Sequence, residues 1–166
     1  MSSKLLWQIV LLLTTVVPAA MAPGAHAQFS DPASEPLSAM TVPQAQLMQP
    51  AELAAMLKAG GAQQPVMLQV GSHVMFAQAH IPGSRYAGPG SQLSGLQLLE
   101  KAVALTPKPK LIVIYCGCCP WNRCPNIGPA FQRLHNLGFT NVKALYLPNN
   151  FGDDWMARGY AVAKGE

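Results

Sequence analysis

The sequence predicts a single α/β domain over residues 48–166, a parallel central sheet with helices on both faces. Three observations carry this. Short apolar runs of strand length alternate with segments whose apolar residues recur at helical spacing. One run, Leu111-Ile-Val-Ile-Tyr115, is apolar and β-branched without a break, as in a strand covered on both faces. Half of the 166 residues are hydrophobic, enough for one core.

The chain opens with Lys4, an apolar run over 5–13 and Ala25-His-Ala27. This reads as a secretory signal peptide, residues 1–27, cut after Ala27. The apolar run is short for a membrane span and no basic cluster follows it, so no stable membrane insertion is expected after cleavage. The expected location is secreted or periplasmic, an oxidising setting in which cysteines can pair. Residues 28–47, rich in Ala, Pro, Ser and Gln, read as a flexible linker.

Within the domain, 50–60 reads as a helix, with Pro50 in its first turn and Gly60 at its end. Residues 66–70 form a strand, and 71–79 a loop with a helical turn at Phe76. His80-Ile-Pro-Gly-Ser84 is a turn, because Pro82-Gly83 supplies the dihedral angles of a type II turn. A Gly/Pro-rich loop over 86–91 leads to a helix over 93–105 with Leu96, Leu99 and Val103 on one face. After strand 111–115, Ile127, Phe131, Leu134 and Leu137 define another helix, closed by Gly138. A strand over 141–147 follows, and Asp153 is expected to cap a last short helix holding Trp155 and Met156.

All four cysteines fall between strand 111–115 and the next helix, in Cys116-Gly-Cys-Cys-Pro-Trp-Asn-Arg-Cys124. A strand-to-helix loop lies at the carboxyl edge of a parallel sheet, where such folds hold ligands. The helix N-terminus offers unpaired N–H groups and partial positive charge, which favours a thiolate over a thiol. Cys116, at the strand end, is the candidate nucleophile; the alternative is a buried, inert thiol. Without Lys4, 10 basic residues face 7 acidic ones, a net charge of +3. The basic residues are scattered and form no stripe interleaved with aromatics, so nucleic acid is not expected as a partner.

Four pieces, in order, carry a resemblance. They are His80-Ile-Pro-Gly-Ser84 after a strand, a hydrophobic strand ending in Tyr115-Cys116, a helix ending Leu137-Gly-Phe139 before Asn141-Val142, and Trp155 with Gly159-Tyr160. Over about 49–163 the chain resembles a rhodanese-like sulfurtransferase domain, here an exported variant with a cysteine-rich active loop. It departs from that pattern at Gln69-Val70-Gly71, Met75, Ala79 and Pro148-Asn149. In the usual active loop a basic residue stands five positions after the cysteine; here that position is Trp121, and Arg123 comes two later.

The resemblance implies a sulfurtransferase in which Cys116 takes a sulfane sulfur from a donor such as thiosulfate and passes it as a persulfide to a thiophilic acceptor. Gly117, Cys118, Cys119, Trp121, Asn122 and Arg123 would then bind the substrate, backbone amides with the helix N-terminus cradling it and Arg123 orienting its oxygens; alternatively Arg123 is a solvated charge. The expected partners are a small sulfur-containing anion and a thiol acceptor, with no cofactor. Longer loops also occur in related phosphatases, which leaves phosphate-ester or arsenate chemistry open. Cys118, Cys119 or Cys124 could resolve an oxidised Cys116; Cys119–Cys124 is an easier disulfide than the strained neighbours Cys118–Cys119. The alternative function is a non-catalytic or redox module that uses the 116–124 loop for disulfide exchange or soft-metal binding. Cys-x-Cys-Cys-x4-Cys is not a standard zinc spacing, so no metal ligand is assigned.

Overall fold

The computed structural model describes residues 42–61 and 64–165. The signal-peptide segment, and the linker up to residue 41, lie outside the described residues. The elements run β1 (Leu47–Met48), α1 (Pro50–Ala59), β2 (Val66–Gln69), α2 (His73–Gln78), β3 (Arg85–Tyr86), α3 (Leu93–Val103), β4 (Ile112–Tyr115), α4 (Ile127–Asn136), β5 (Val142–Leu145) and α5 (Phe151–Asp154). The five strands form one sheet in the order β1-β5-β4-β2-β3, with every pairing parallel.

The β-branched run takes the middle of the sheet. Ile112, Val113, Ile114 and Tyr115 are all buried, with Val113 opposite Met67 of β2 and Lys143 of β5. Side chains alternate along a strand, so β4 feeds two cores. On one face Ile112 and Ile114 pack with Leu99 and Val103 of α3 and with Ile127, Phe131 and Leu134 of α4. On the other, Val113 and Tyr115 pack with Leu53 of α1 and with Phe151 and Trp155. Each such side chain, fully buried, contributes roughly 1.5–3 kcal/mol from the removal of apolar surface from water.

Three differences from the sequence reading have simple causes. Val42 is 4% exposed in the core and Leu47 belongs to β1, so the fold takes in residues read as the end of the linker. β1 and β3 are two residues long, too short to show an alternation in sequence. The last helix begins earlier than expected: Asn150, not Asp153, is its N-cap, its side chain accepting from the Asp153 N–H at 2.9 Å. Trp155 and Met156 lie beyond that helix, Met156 in a 3-10 turn over Met156–Arg158.

Candidate active site

The sheet delivers Cys116 to the carboxyl edge of its central strand. Tyr115, one residue earlier, faces the α1/α5 side, and Cys116 packs into the α3/α4 side. Gly117 then turns the chain with φ +71°, a left-handed conformation that glycine adopts without steric cost. A Cβ there would stand 2.6 Å from the Phe151 Cβ, and the Phe151 N–H donates to the Gly117 carbonyl at 3.0 Å. The turn therefore packs directly on the start of α5.

Trp121 anchors the far side of the loop. It opens a 3-10 turn over Trp121–Arg123, is 8% exposed, and sets its ring edge-on to Tyr146 with centroids 5.3 Å apart. Its N–H donates to the Pro148 carbonyl at 3.1 Å, and the Arg123 N–H donates to the Pro120 carbonyl at 2.9 Å. These two amides, expected in an anion cradle, are engaged with backbone instead. Asn122 and Arg123 are exposed.

The turn gathers the sulfurs. Cys116 Sγ lies 3.0 Å from Cys118 Sγ, and Cys118 Sγ lies 3.3 Å from Cys119 Sγ. The sulfurs of Cys116, Cys118 and Cys124 all lie within 4.8 Å of one another. Cys116 and Cys124 are buried, Cys118 and Cys119 half-buried, and none of the four forms a disulfide. Asn126 closes the group from above. It is 6% exposed, and its Nδ2 donates to Cys116 Sγ at 3.4 Å and to Cys118 Sγ at 3.9 Å. Its Oδ1 accepts from the N–H and the hydroxyl of Ser91, at 3.1 and 2.9 Å, which fixes the amide with its donors toward sulfur. Below, Gly71 leaves room for the sulfur: a Cβ there would lie 2.8 Å from Cys116 Sγ.

The thiols of this group shift one another's protonation. Donation from the Cys116 and then the Cys124 thiol holds Cys118 well below the ordinary thiol range. Cys116 is raised, first because its proton bonds Cys118 and then through Cys124 and burial. Burial is the main cause that raises Cys119. Cys124 is raised on balance: the Cys116 hydrogen bond lowers it, the Cys118 hydrogen bond and burial raise it, and the backbone N–H groups of Asn126 and Ile127 at the start of α4 lower it in part. Cys118, with a thiol on either side, is the member of the group whose anion these contacts favour.

Two cavities touch Cys116. One, of about 10 Å³ among Trp121, Cys124, Ile127 and Leu145, is no larger than a single water needs. The other, of about 130 Å³, opens on the α2/α5 side and is lined by Gln69, Met75, Gln78, Tyr115, Phe151 and Met156. Neither has a charged side chain in its lining. A cavity of about 690 Å³ between α1 and 155–161 contains no cysteine. Of the residues singled out in sequence, the fold thus brings together Cys116, Gly117, Cys118, Cys119, Trp121 and Cys124. Asn122 and Arg123 line neither cavity at Cys116. Asn126, Gly71, Met75 and Met156 were missed. Only Asn126 had a local signal, a helix-capping residue type placed just before an apolar helical face.

Comparison with known proteins adds the following. A family model, the Rhodanese-like domain, matches residues 49–146. The crystal structure of the BH2092 protein from Bacillus halodurans is similar with a TM-score of 0.55 and 23% identity, over 70% of this chain and 75% of that one. The Alr3790 protein from Anabaena sp. gives 0.54 and 20%, over 71% and 92% of the two chains. A thiosulfate sulfurtransferase from Pseudomonas aeruginosa gives 0.51 and 25%, over 72% of this chain and 20% of that one. Among curated proteins no sequence matches.

Proposed function

The chain belongs to the Rhodanese-like domain family, and from that premise we propose that it transfers sulfane sulfur through a persulfide on Cys116. The observation that carries this reading is the 3.0 Å contact between Cys116 Sγ and Cys118 Sγ at the end of the central strand. It sets a second sulfur within hydrogen-bond reach of the nucleophile, so the two share one proton that Cys118 Sγ keeps when Cys116 attacks. In the first half-reaction the Cys116 sulfur attacks the outer sulfur of thiosulfate, its proton passes to Cys118 Sγ, and sulfite leaves with the electrons of the broken S–S bond. In the second, cyanide or a thiolate attacks the outer sulfur of the persulfide. Cys116 leaves and recovers its proton from Cys118.

The 130 Å³ cavity beside Cys116 is the route for the donor. Its uncharged lining fits the end-on persulfide of a small thiol better than the thiosulfate dianion, because an unpaired charge is costly away from water. Arg123, exposed beside the loop, attracts an anion from outside without entering the site. The intact mass of the reduced, mature protein before and after either donor tests the reading. Wild type should gain one sulfur atom, Cys118→Ser should gain it several-fold more slowly, and Cys116→Ser should gain none. A gain in Cys116→Ser would reject the assignment.

The same contact supports a second reading, thiol–disulfide exchange. Cys116 attacks a partner disulfide, and Cys118 then displaces the partner thiol, leaving a Cys116–Cys118 disulfide and a reduced partner. A redox-buffer titration read by mass separates the two readings, since exchange removes two hydrogens and adds no sulfur. Both suit an exported protein, as residues 1–27 propose; N-terminal sequencing of the mature chain should begin at Gln28.

A further inference from the structure

We propose that Cys116, Cys118 and Cys124 form a three-sulfur site for one Cu(I) ion, reached through the cavity lined by Met75 and Met156. Soft thiolate and thioether ligands select Cu(I), and three sulfurs without a fourth donor suit its trigonal coordination. With metal–sulfur bonds of about 2.3 Å, a trigonal site sets its sulfurs about 4 Å apart. Here Cys116 and Cys118 are 3.0 Å apart and all three sulfurs lie within 4.8 Å, so rotamer adjustments make room for an ion. Cys119 touches Cys118 at 3.3 Å but stands outside the group of three, which disfavours the four-sulfur tetrahedron of structural zinc.

The surroundings agree. Asn126 directs its Nδ2 at two of the three sulfurs and is itself held by Ser91, the kind of outer contact that orients metal ligands. The approach is soft as well. Met156 is 42% exposed, Met75 is half-buried, and both line the cavity with Cys116, which is 4% exposed. A Cu(I) ion can move along these thioethers to the thiols, displacing their protons as it binds. The uncharged lining offers a hydrated divalent ion nothing comparable. The site shares Cys116 and Cys118 with the proposed sulfur transfer, so bound Cu(I) blocks that reaction, but the inference does not rest on it.

The test is anaerobic titration of the reduced mature chain with Cu(I) against a coloured Cu(I) chelator, followed by X-ray absorption of the loaded protein. One Cu(I) per chain with sulfur-only coordination is expected. Cys118→Ser and Cys124→Ser should each lose more than the about 10- to 100-fold in affinity that an outer-contact change costs, and Asn126→Ala should fall within that range. Cys119→Ser should bind like wild type, and circular dichroism checks that each variant folds. The double variant Met75→Leu/Met156→Leu should keep the affinity but take up Cu(I) several-fold more slowly from the chelator. Failure of reduced wild type to hold Cu(I), tighter binding of Zn²⁺, or undiminished binding in folded Cys118→Ser or Cys124→Ser would overturn the site. Unchanged uptake in the methionine variant would overturn the route. Persulfide formation in Cys124→Ser, read by mass, distinguishes a failed copper site from a failed sulfurtransferase.

Discussion

Tyr115 and Cys116 are neighbours in the chain and point to opposite faces of the same sheet edge, yet their surroundings differ in kind. The Tyr115 hydroxyl sits in a closed set of neutral hydrogen bonds: it accepts from the Ile81 N–H at 3.1 Å and pairs with the Ser84 hydroxyl at 2.8 Å. His80 completes that side, its Nδ1 2.9 Å from the Phe76 carbonyl, its ring stacked on Phe76 and its backbone bridged to Ala163. Cys116 instead meets sulfur, a side-chain amide and a cavity. Sulfur is a weak hydrogen-bond partner, so the second set holds the fold less firmly than the first. One strand end thus carries a fastening on one face and a cluster of thiols on the other.

The largest expected effect follows from separating the two. Cys116→Ser should abolish sulfur loading while its unfolding free energy stays within about 2 kcal/mol of wild type, because the buried hydroxyl can accept from the Asn126 Nδ2 and bond Cys118 Sγ in a site of similar volume. Urea denaturation beside the mass assay checks this. A loss of stability as large as that of a core truncation would show that the sulfur group also holds the fold together.

Next in size is the turn that joins the faces. Gly117→Ala places a methyl group on a left-handed residue and within 2.6 Å of the Phe151 Cβ. The conformation costs roughly 1–2 kcal/mol and the overpacking about 1–3, so a loss of about 2–5 kcal/mol is expected in urea denaturation. Sulfur loading per folded molecule should fall too, since the turn sets the distance between Cys116 and Cys118. Wild-type stability in this variant would mean that Phe151 yields easily and that the turn does not position the thiols.

This contrast explains what the sequence made legible. β4 and α4 were readable because Ile112 to Tyr115 is apolar without a break and because Ile127, Phe131 and Leu134 repeat at helical spacing; burial on a regular element leaves a period. The position of Cys116 at the strand end followed from those two elements. The grouping of the sulfurs did not, because it depends on a single left-handed residue and on Gly71, which approaches Cys116 from the bend that follows β2. Asn126 was hidden for a related reason: its partners, Ser91 and the two sulfurs, lie far along the chain or around the turn. The helix dipole was assigned to Cys116 from proximity in sequence, whereas the loop brings Cys124 to that helix start.

The smallest effect tests the fastening itself. Tyr115→Phe removes the acceptor of the buried Ile81 N–H and the partner of the Ser84 hydroxyl, and should cost about 1–3 kcal/mol at neutral pH. Burial also pushes the Tyr115 hydroxyl up from its ordinary 10.0 to about 12, outweighing the Ser84 and Ile81 hydrogen bonds that act the other way. A raised value favours the neutral form in the folded chain, so this contribution is complete below pH 10 and disappears as pH rises toward about 12, where the unfolded tyrosine has already ionised. Wild type should therefore lose up to about 2–3 kcal/mol more than Tyr115→Phe across that window. Denaturation curves of both proteins at pH 9 and 11 measure the first half of this difference, about 1.4 kcal/mol, with the remaining tyrosines and lysines cancelling between them. Parallel losses in the two proteins would mean that Tyr115 reaches water at high pH and that its face of the strand is looser than its hydrogen bonds imply.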